Sequence, residues 1–243
     1  IVRGGLALTL RGEHSYSGLT EVAVGTLVMN GTNAVGAVVV SNTATLAGSG
    51  RVGDLTLKTG AIVKPGANEG CGPLSAASIN FAGSATYVWT VNDFAGDYGG
   101  TAGWDQLSTT GALNFALSGD NAYTVQVRTV RYDGSFGMAS NFSPLVSYTQ
   151  FIASARLITG FSTNRFALQV LVSNAYQGVW SMDLVGATNI AVIYTPTGVL
   201  TSASYVWDGG DATSDTWGAG PNWEGDLVPP PLSTLVFGGP ARM

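Results

Sequence analysis

The segment Val22-Ala23-Val24-Gly25-Thr26-Leu27-Val28-Met29-Asn30-Gly31 is a run of β-type residues closed by an Asn-Gly turn, and the chain keeps returning to this form. Leu6-Ala7-Leu8-Thr9-Leu10 ends at Arg11-Gly12, and Ala44-Thr45-Leu46 ends at Ala47-Gly48-Ser49-Gly50. Gly60-Ala61-Ile62-Val63 ends at Lys64-Pro65-Gly66. Apolar and β-branched residues favour strands, while Gly, Asn and Pro interrupt them, so each unit reads as a strand followed by a corner. Leu27 and Leu46 are 19 residues apart, and Leu46 and Val63 are 17 apart. A second series starts at Val22, Val38 and Leu55, with spacings of 16 and 17. Two strands recurring together at this period predict a coil that stacks on itself. One coil cannot bury its apolar positions alone. Stacking coils at a strand spacing of about 4.7–4.9 Å joins those positions into one core. A sandwich built of hairpins would place Asn-Gly or Asp-Gly between most neighbouring strands. Over residues 5–66 Asn30-Gly31 is the one such pair, so the reading is all-β and a parallel β-helix.

Composition agrees with a repetitive β-structure. Of 243 residues, 45% are hydrophobic and only 10% are charged, against a usual charged share of about 25%. The 34 glycines and two lysines (Lys58 and Lys64) suit many tight turns and few long helices. Enough apolar surface is present to offset the entropy of ordering, which argues against disorder. Net charge is −5, with no basic stripe to neutralise phosphates, so nucleic acid is excluded as a partner. No apolar run reaches the 18 or so residues of a spanning helix, and the chain is read as not membrane-spanning. The first residues, Ile1-Val2-Arg3-Gly4-Gly5, lack a start Met and a signal peptide. The expectation is either a removed leader or, preferably, a piece of a longer protein.

The quoted segments carry a family resemblance. Gly5-Leu6-Ala7-Leu8-Thr9-Leu10, then Ser15-Tyr16-Ser17-Gly18-Leu19-Thr20, then Val22 through Gly31 resembles the autotransporter-associated β-strand repeat. The resemblance is dense over residues 5–66 and continues through Ala44–Gly50 and Gly60–Gly66. It extends more loosely to Trp104-Asp105-Gln106-Leu107 with Gly111-Ala112-Leu113, and to Ile158-Thr159-Gly160-Phe161, Phe166 and Ile193-Tyr194-Thr195-Pro196. That family implies a right-handed parallel β-helix, export from a bacterium to its surface or surroundings, and roles in adhesion or extracellular structures. Fold resemblance does not by itself fix function.

The tail starts a new pattern. Tyr205-Val206-Trp207-Asp208-Gly209-Gly210 runs through Trp217, Asn222-Trp223 and Pro229-Pro230-Pro231 to Leu235-Val236-Phe237-Gly238-Gly239. This resembles the opening of another module of the same kind. Trp207, Trp217, Trp223 and Phe237 are therefore the candidate interface residues, since buried aromatics anchor interfaces. The expected partner is self, as head-to-tail copies or successive modules of one chain, with tail donation to a neighbour as one form.

Residues with chemical potential are few. His14 is the single histidine, read as a solvated loop residue, with Glu13 beside it directed to the opposite side. Cys71, the single cysteine, sits in Asn68-Glu69-Gly70-Cys71-Gly72-Pro73 and reads as a small residue in a turn rather than a reactive thiol. Asp208, Asp211 and Asp215 place three carboxylates in eight residues, of the oxygen type calcium takes. Their spacing matches neither an EF-hand nor a Gly-rich β-roll, so an ordinary acidic turn is preferred and no cofactor is assigned. Polysaccharide hydrolysis would need carboxylates aligned on stacked coils. Arg11, Glu13, Glu21, Arg51, Asp54, Lys58 and Lys64 are read as falling at turns on single coils, not in a column. Asp93, Asp97 and Asp105 lie among Gly96, Gly99, Gly100 and Gly103, which reads as a loop. The expectation is no catalysis.

Three segments follow from these readings. Residues 1–130 should form coils, with 5–66 the strongest match. Residues 131–203 should continue as coils or a cap. Residues 204–243 should start a next module or link to a neighbouring subunit. The function expected is an extracellular structural module that stacks or links into a filament, fibre or surface layer. The alternative is an adhesin passenger binding a cell or carbohydrate surface.

Overall fold

The computed structural model describes residues 7–66, 70–197, 204–210, 213, 216–223, 228–229 and 234–237. It divides into two units, residues 1–196 and residues 197–243. In chain order the first unit begins with strands β1 (Ala7–Leu10), β2 (Thr20–Val22), β3 (Thr26–Met29), β4 (Thr32–Asn33), β5 (Val38–Val40) and β6 (Thr45–Gly48). Then follow β7 (Arg51–Leu57), β8 (Ile62–Pro65), β9 (Pro73–Phe81), β10 (Thr86–Val91), β11 (Asp97–Tyr98), β12 (Gly103–Trp104) and β13 (Gln106–Thr109). The last are β14 (Ala112–Phe115), β15 (Tyr123–Thr129), β16 (Tyr148–Ser154), β17 (Leu157–Thr159), β18 (Phe166–Leu171), β19 (Gly178–Val185) and β20 (Asn189–Pro196).

These strands form two large sheets whose members alternate along the chain. The first runs β1-β3-β6-β8-β10-β15-β18, every neighbour parallel. The second runs β2-β5-β7-β9, then through β13 and β14 to β16 and β17, again parallel. Parallel neighbours need a crossover between them, and here each crossover carries a strand of the other sheet. The sheets are mixed at their far end, where β20 lies antiparallel to both β16 and β19, and β12 lies antiparallel to β10.

Register explains the core. In the first sheet Leu8, Leu27, Leu46, Val63, Tyr87, Val125 and Leu168 are successive partners in one column. In the second, Val22, Val40, Leu57, Phe81 and Phe115 form a column, and Val38, Leu55, Ile79, Leu113 and Ile158 form another. Alternate residues on a strand face opposite sides, so these apolar columns turn inward together. Leu27, Leu46, Val63, Leu57 and Val40 are all fully buried. The expected pairing of Val22 with Val38 needs correction. Val22 lies opposite Val40, and Val38 lies opposite Thr20, a shift of two residues that keeps the same face inward.

Corners are packed closely enough to require glycine. Gly12, Gly31 and Gly50 recur at 19-residue intervals. A Cβ on Gly31 would meet the Gly12 carbonyl oxygen and lie 2.7 Å from the Gly12 nitrogen; one on Gly50 would meet Gly31 in the same way. Outside the core, polar side chains stack in ladders. Thr159 Oγ1 donates to Asn114 Oδ1 at 2.8 Å, and Asn114 Nδ2 donates to Asn80 Oδ1 at 3.0 Å.

The second unit is small. Its strands β21 (Ser204–Trp207) and β22 (Thr234–Phe237) are parallel, with Tyr205 opposite Leu235 and Trp207 opposite Phe237. No helix among the described residues is long and apolar enough to cross a membrane.

Candidate functional site

Polar and aromatic residues gather at three places in the described structure: a corner column, a buried joint and the aromatic knot of the tail.

The corner column runs across the coils beside the stacked glycines. Glu13 bridges Thr32, Thr32 pairs with Arg51, and Arg51 pairs with Ser75. Glu13 and Arg51 are exposed. The expectation that charges avoid a column is therefore corrected: these two share one, two coils apart and separated by 38 residues. The signal was present as twice the 19-residue period. Two coils correspond to about 9.5 Å at ordinary strand spacing, with Thr32 between, so the pair bounds a groove. Asn30, Thr32, Ser49, Arg51 and Ser75 line that groove with Glu13. It contains one carboxylate, whereas glycoside hydrolysis ordinarily uses two.

Glu13 and His14 part in the way an extended segment requires, but His14 is not a solvated loop residue. It is half-buried, its amide donates to the Thr32 carbonyl at 2.8 Å, and its Nε2 is buried without a hydrogen-bond partner. A corner close against the next coil shields the ring, which a reading of local sequence could not reveal.

The buried joint centres on Asp105. The expected loop over residues 93–105 instead contains β11 and β12, and Asp105 is fully buried between the sheets' edges. Gly72 N donates to Asp105 Oδ1 at 3.0 Å and Thr90 N donates to Oδ2 at 2.9 Å. Trp89 Nε1 donates to the Asp105 carbonyl at 3.1 Å. The carboxylate thus ties the start of β9 to the middle of β10. Burial holds its pKa well above the usual carboxylate range, although the Gly72 and Thr90 donors and the Lys64 charge act in the opposite direction. Cys71 lies in the same joint. It is buried, its Sγ donates to the Thr90 carbonyl at 3.4 Å, and burial followed by the Asp105 charge pushes the thiol pKa up. A thiol kept protonated is a poor nucleophile. Asp93 has a different setting: Asn141 Nδ2 donates to it at 2.7 Å and Tyr132 Oη at 2.6 Å. These bonds pin the loop after β15 to the end of β10. Asp97 pairs with Gly103 through the backbone and does not join Asp93 and Asp105 in one site.

The aromatic knot contains all four expected interface residues. Trp207 and Trp223 meet edge to face with centroids 5.1 Å apart, and Phe237 lies 6.0 Å from Trp223 and 5.9 Å from Trp217. Trp223 Nε1 donates to the Trp217 carbonyl at 3.0 Å. Asn222 is fully buried, and its carbonyl accepts from the Asp208 and Gly209 amides at 3.0 and 3.2 Å. The Asn-Trp pair therefore pins the segment after β21, giving a physical reason for that motif. The four rings differ in exposure: Trp223 is buried at 1%, while Trp217 is 63% and Phe237 59% exposed. Trp223 is a packing residue of the knot, and the surface available to a partner is that of Trp217 and Phe237.

Of the acidic turn, Asp208 accepts from the Gly210 amide at 2.9 Å, while Asp211 and Asp215 lie outside the described residues. Among the described residues, no three His, Cys, Asp or Glu side chains group as a metal site would require. Neither protein-family models nor curated proteins gave a match to this chain.

Proposed function

We propose that this chain is a right-handed parallel β-helix from an exported bacterial surface protein, and that it serves as an extracellular structural module joined end to end. The observation that carries this reading is the pair of alternating parallel ladders over one continuous apolar core. Such a stack is stiff along the stacking direction because every coil is hydrogen-bonded to the next. A ladder also has ends, and an end strand offers unpaired backbone groups that invite another strand. The second unit supports the same reading, since β21 and β22 are a parallel pair of the kind from which such ladders grow. The resemblance to the autotransporter-associated repeat supplies the bacterial and extracellular parts of the proposal.

Electron microscopy of the purified full chain at several salt concentrations tests it. Filaments or sheets with an axial repeat matching one module are expected. Dispersed monomeric rods at every salt concentration would overturn it. A second reading, an adhesin that holds a glycan or cell surface, draws on the groove at Glu13, Thr32 and Arg51. It predicts loss of surface binding in Glu13→Ala and Arg51→Ala with no change in assembly.

A further inference from the structure

Two strands in this structure stop at complementary stages of coil stacking. At the start of the first sheet, β1 pairs with β3 and with no other strand among the described residues. Its inward column residue Leu8 is 45% exposed, whereas Leu27, the next in that column, is fully buried. In the second unit, β22 pairs with β21 alone among the described residues. Its sequence Thr234-Leu235-Val236-Phe237 matches β3, Thr26-Leu27-Val28-Met29, at three of four positions. Met29 is fully buried in the ladder, but its counterpart Phe237 is largely exposed. Thus β22 has the residues of a ladder strand without the coil that would cover them, and β1 has an edge without the coil that would precede it.

From this match we propose that β22 of one copy adds to the free edge of β1 of a second copy, parallel and in register. Leu235 would lie opposite Leu8 and Phe237 opposite Leu10. The inference rests on the end-to-end reading above and names the strands that make the joint. Backbone direction agrees with it. The Asn30 amide donates to the Leu10 carbonyl, so Leu10 and Leu8 direct their backbone groups to β3, and Thr9 directs its own to the free edge. In the ladder, the Gly50 amide donates to Met29 and the Thr45 amide to Gly25, so the inward residues of a strand bond the following coil. Leu235 and Phe237 occupy those inward positions in β22. The Thr9 amide would then donate to the Leu235 carbonyl, and the Phe237 amide to the Thr9 carbonyl. Chain order is kept as well: the composite ladder would run β21, β22, β1, β3, each strand following its predecessor as throughout the first unit. The joint would cover the exposed rings and leucines at both ends, the usual driving force for strand addition.

The test uses the full chain in two forms. Thr9→Pro removes one amide on the free edge and leaves the β1–β3 bonds intact, a position where a strand tolerates proline. In sedimentation this variant is expected to run as monomer where the parent chain is polymeric. Separately, Thr9→Cys and Val236→Cys chains are mixed under mild oxidation, with Val236→Cys mixed with Ala7→Cys as an out-of-register control. Register neighbours lie within disulfide reach, so the 9–236 bridge between copies should form several-fold faster than the control bridge. If filaments form but Thr9→Pro still polymerises and the two bridges form equally, this joint is wrong while the end-to-end reading stands. If the parent chain stays monomeric, both are wrong. A 9–236 bridge formed only within single chains would also overturn the joint between copies.

Discussion

Gly31 shows how a single residue type is dictated by its neighbours in space. The position has no special need for flexibility; what excludes a side chain is the Gly12 backbone of the preceding coil. Gly50 then packs on Gly31 in the same way, so the 19-residue recurrence of glycine marks a wall where coils touch without side chains. Gly31→Ala should therefore destabilise the fold by about 1–3 kcal/mol, the usual cost of overpacking. Chemical denaturation measures this, and an unchanged midpoint would contradict the packing. The four tail aromatics were legible as a group because tryptophan is conspicuous in such a sequence, but their division was not. Trp223 is buried and Trp217 is exposed, a distinction set by which ring the Asn222 turn folds inward.

Elements were legible in proportion to the regularity of their spacing. From Leu8 to Val63 the column residues are 19, 19 and 17 apart, so the strands through β8 follow from the period. Beyond Val63 the same column jumps 24 residues to Tyr87, 38 to Val125 and 43 to Leu168. The ladder continues, but excursions such as β11–β12 and the loop after β15 lengthen each coil and hide the repeat. The Val22 register was misjudged for a related reason: Val38 and Val40 both face inward, and a run's first residue need not be its column partner. Asp105 was read as a loop residue because the glycines around it mask β11 and β12. Its joint between β9 and β10 also carries a pH dependence. A carboxyl whose pKa is raised on folding holds its proton more tightly in the folded state than in the unfolded one. Its contribution is therefore most favourable below the unfolded value of about 3.9 and is lost as pH rises through the raised folded value. Asp105→Asn should flatten that downward slope in unfolding free energy between about pH 4 and neutrality. Identical slopes in the two chains would show that the joint does not titrate as its burial requires.

At the scale of the whole molecule, the described structure distributes its features along two ladders, and most chemistry-bearing groups are used in holding coils together. Asp105 and Cys71 are enclosed in a joint, Asp93 pins a loop, and the polar ladder of Thr159, Asn114 and Asn80 ties three coils. That allocation suits a protein whose product is its own extended shape. It also places the candidate joints at ladder ends, where β1 and β22 each lack one neighbouring coil among the described residues. The measurement that tests this account most directly is X-ray fibre diffraction from oriented native assemblies. If modules join by continuing the ladder, the strand spacing of about 4.8 Å will appear as a reflection along the filament axis. The same reflection at right angles to that axis, or assemblies with no oriented strand spacing, would contradict the account.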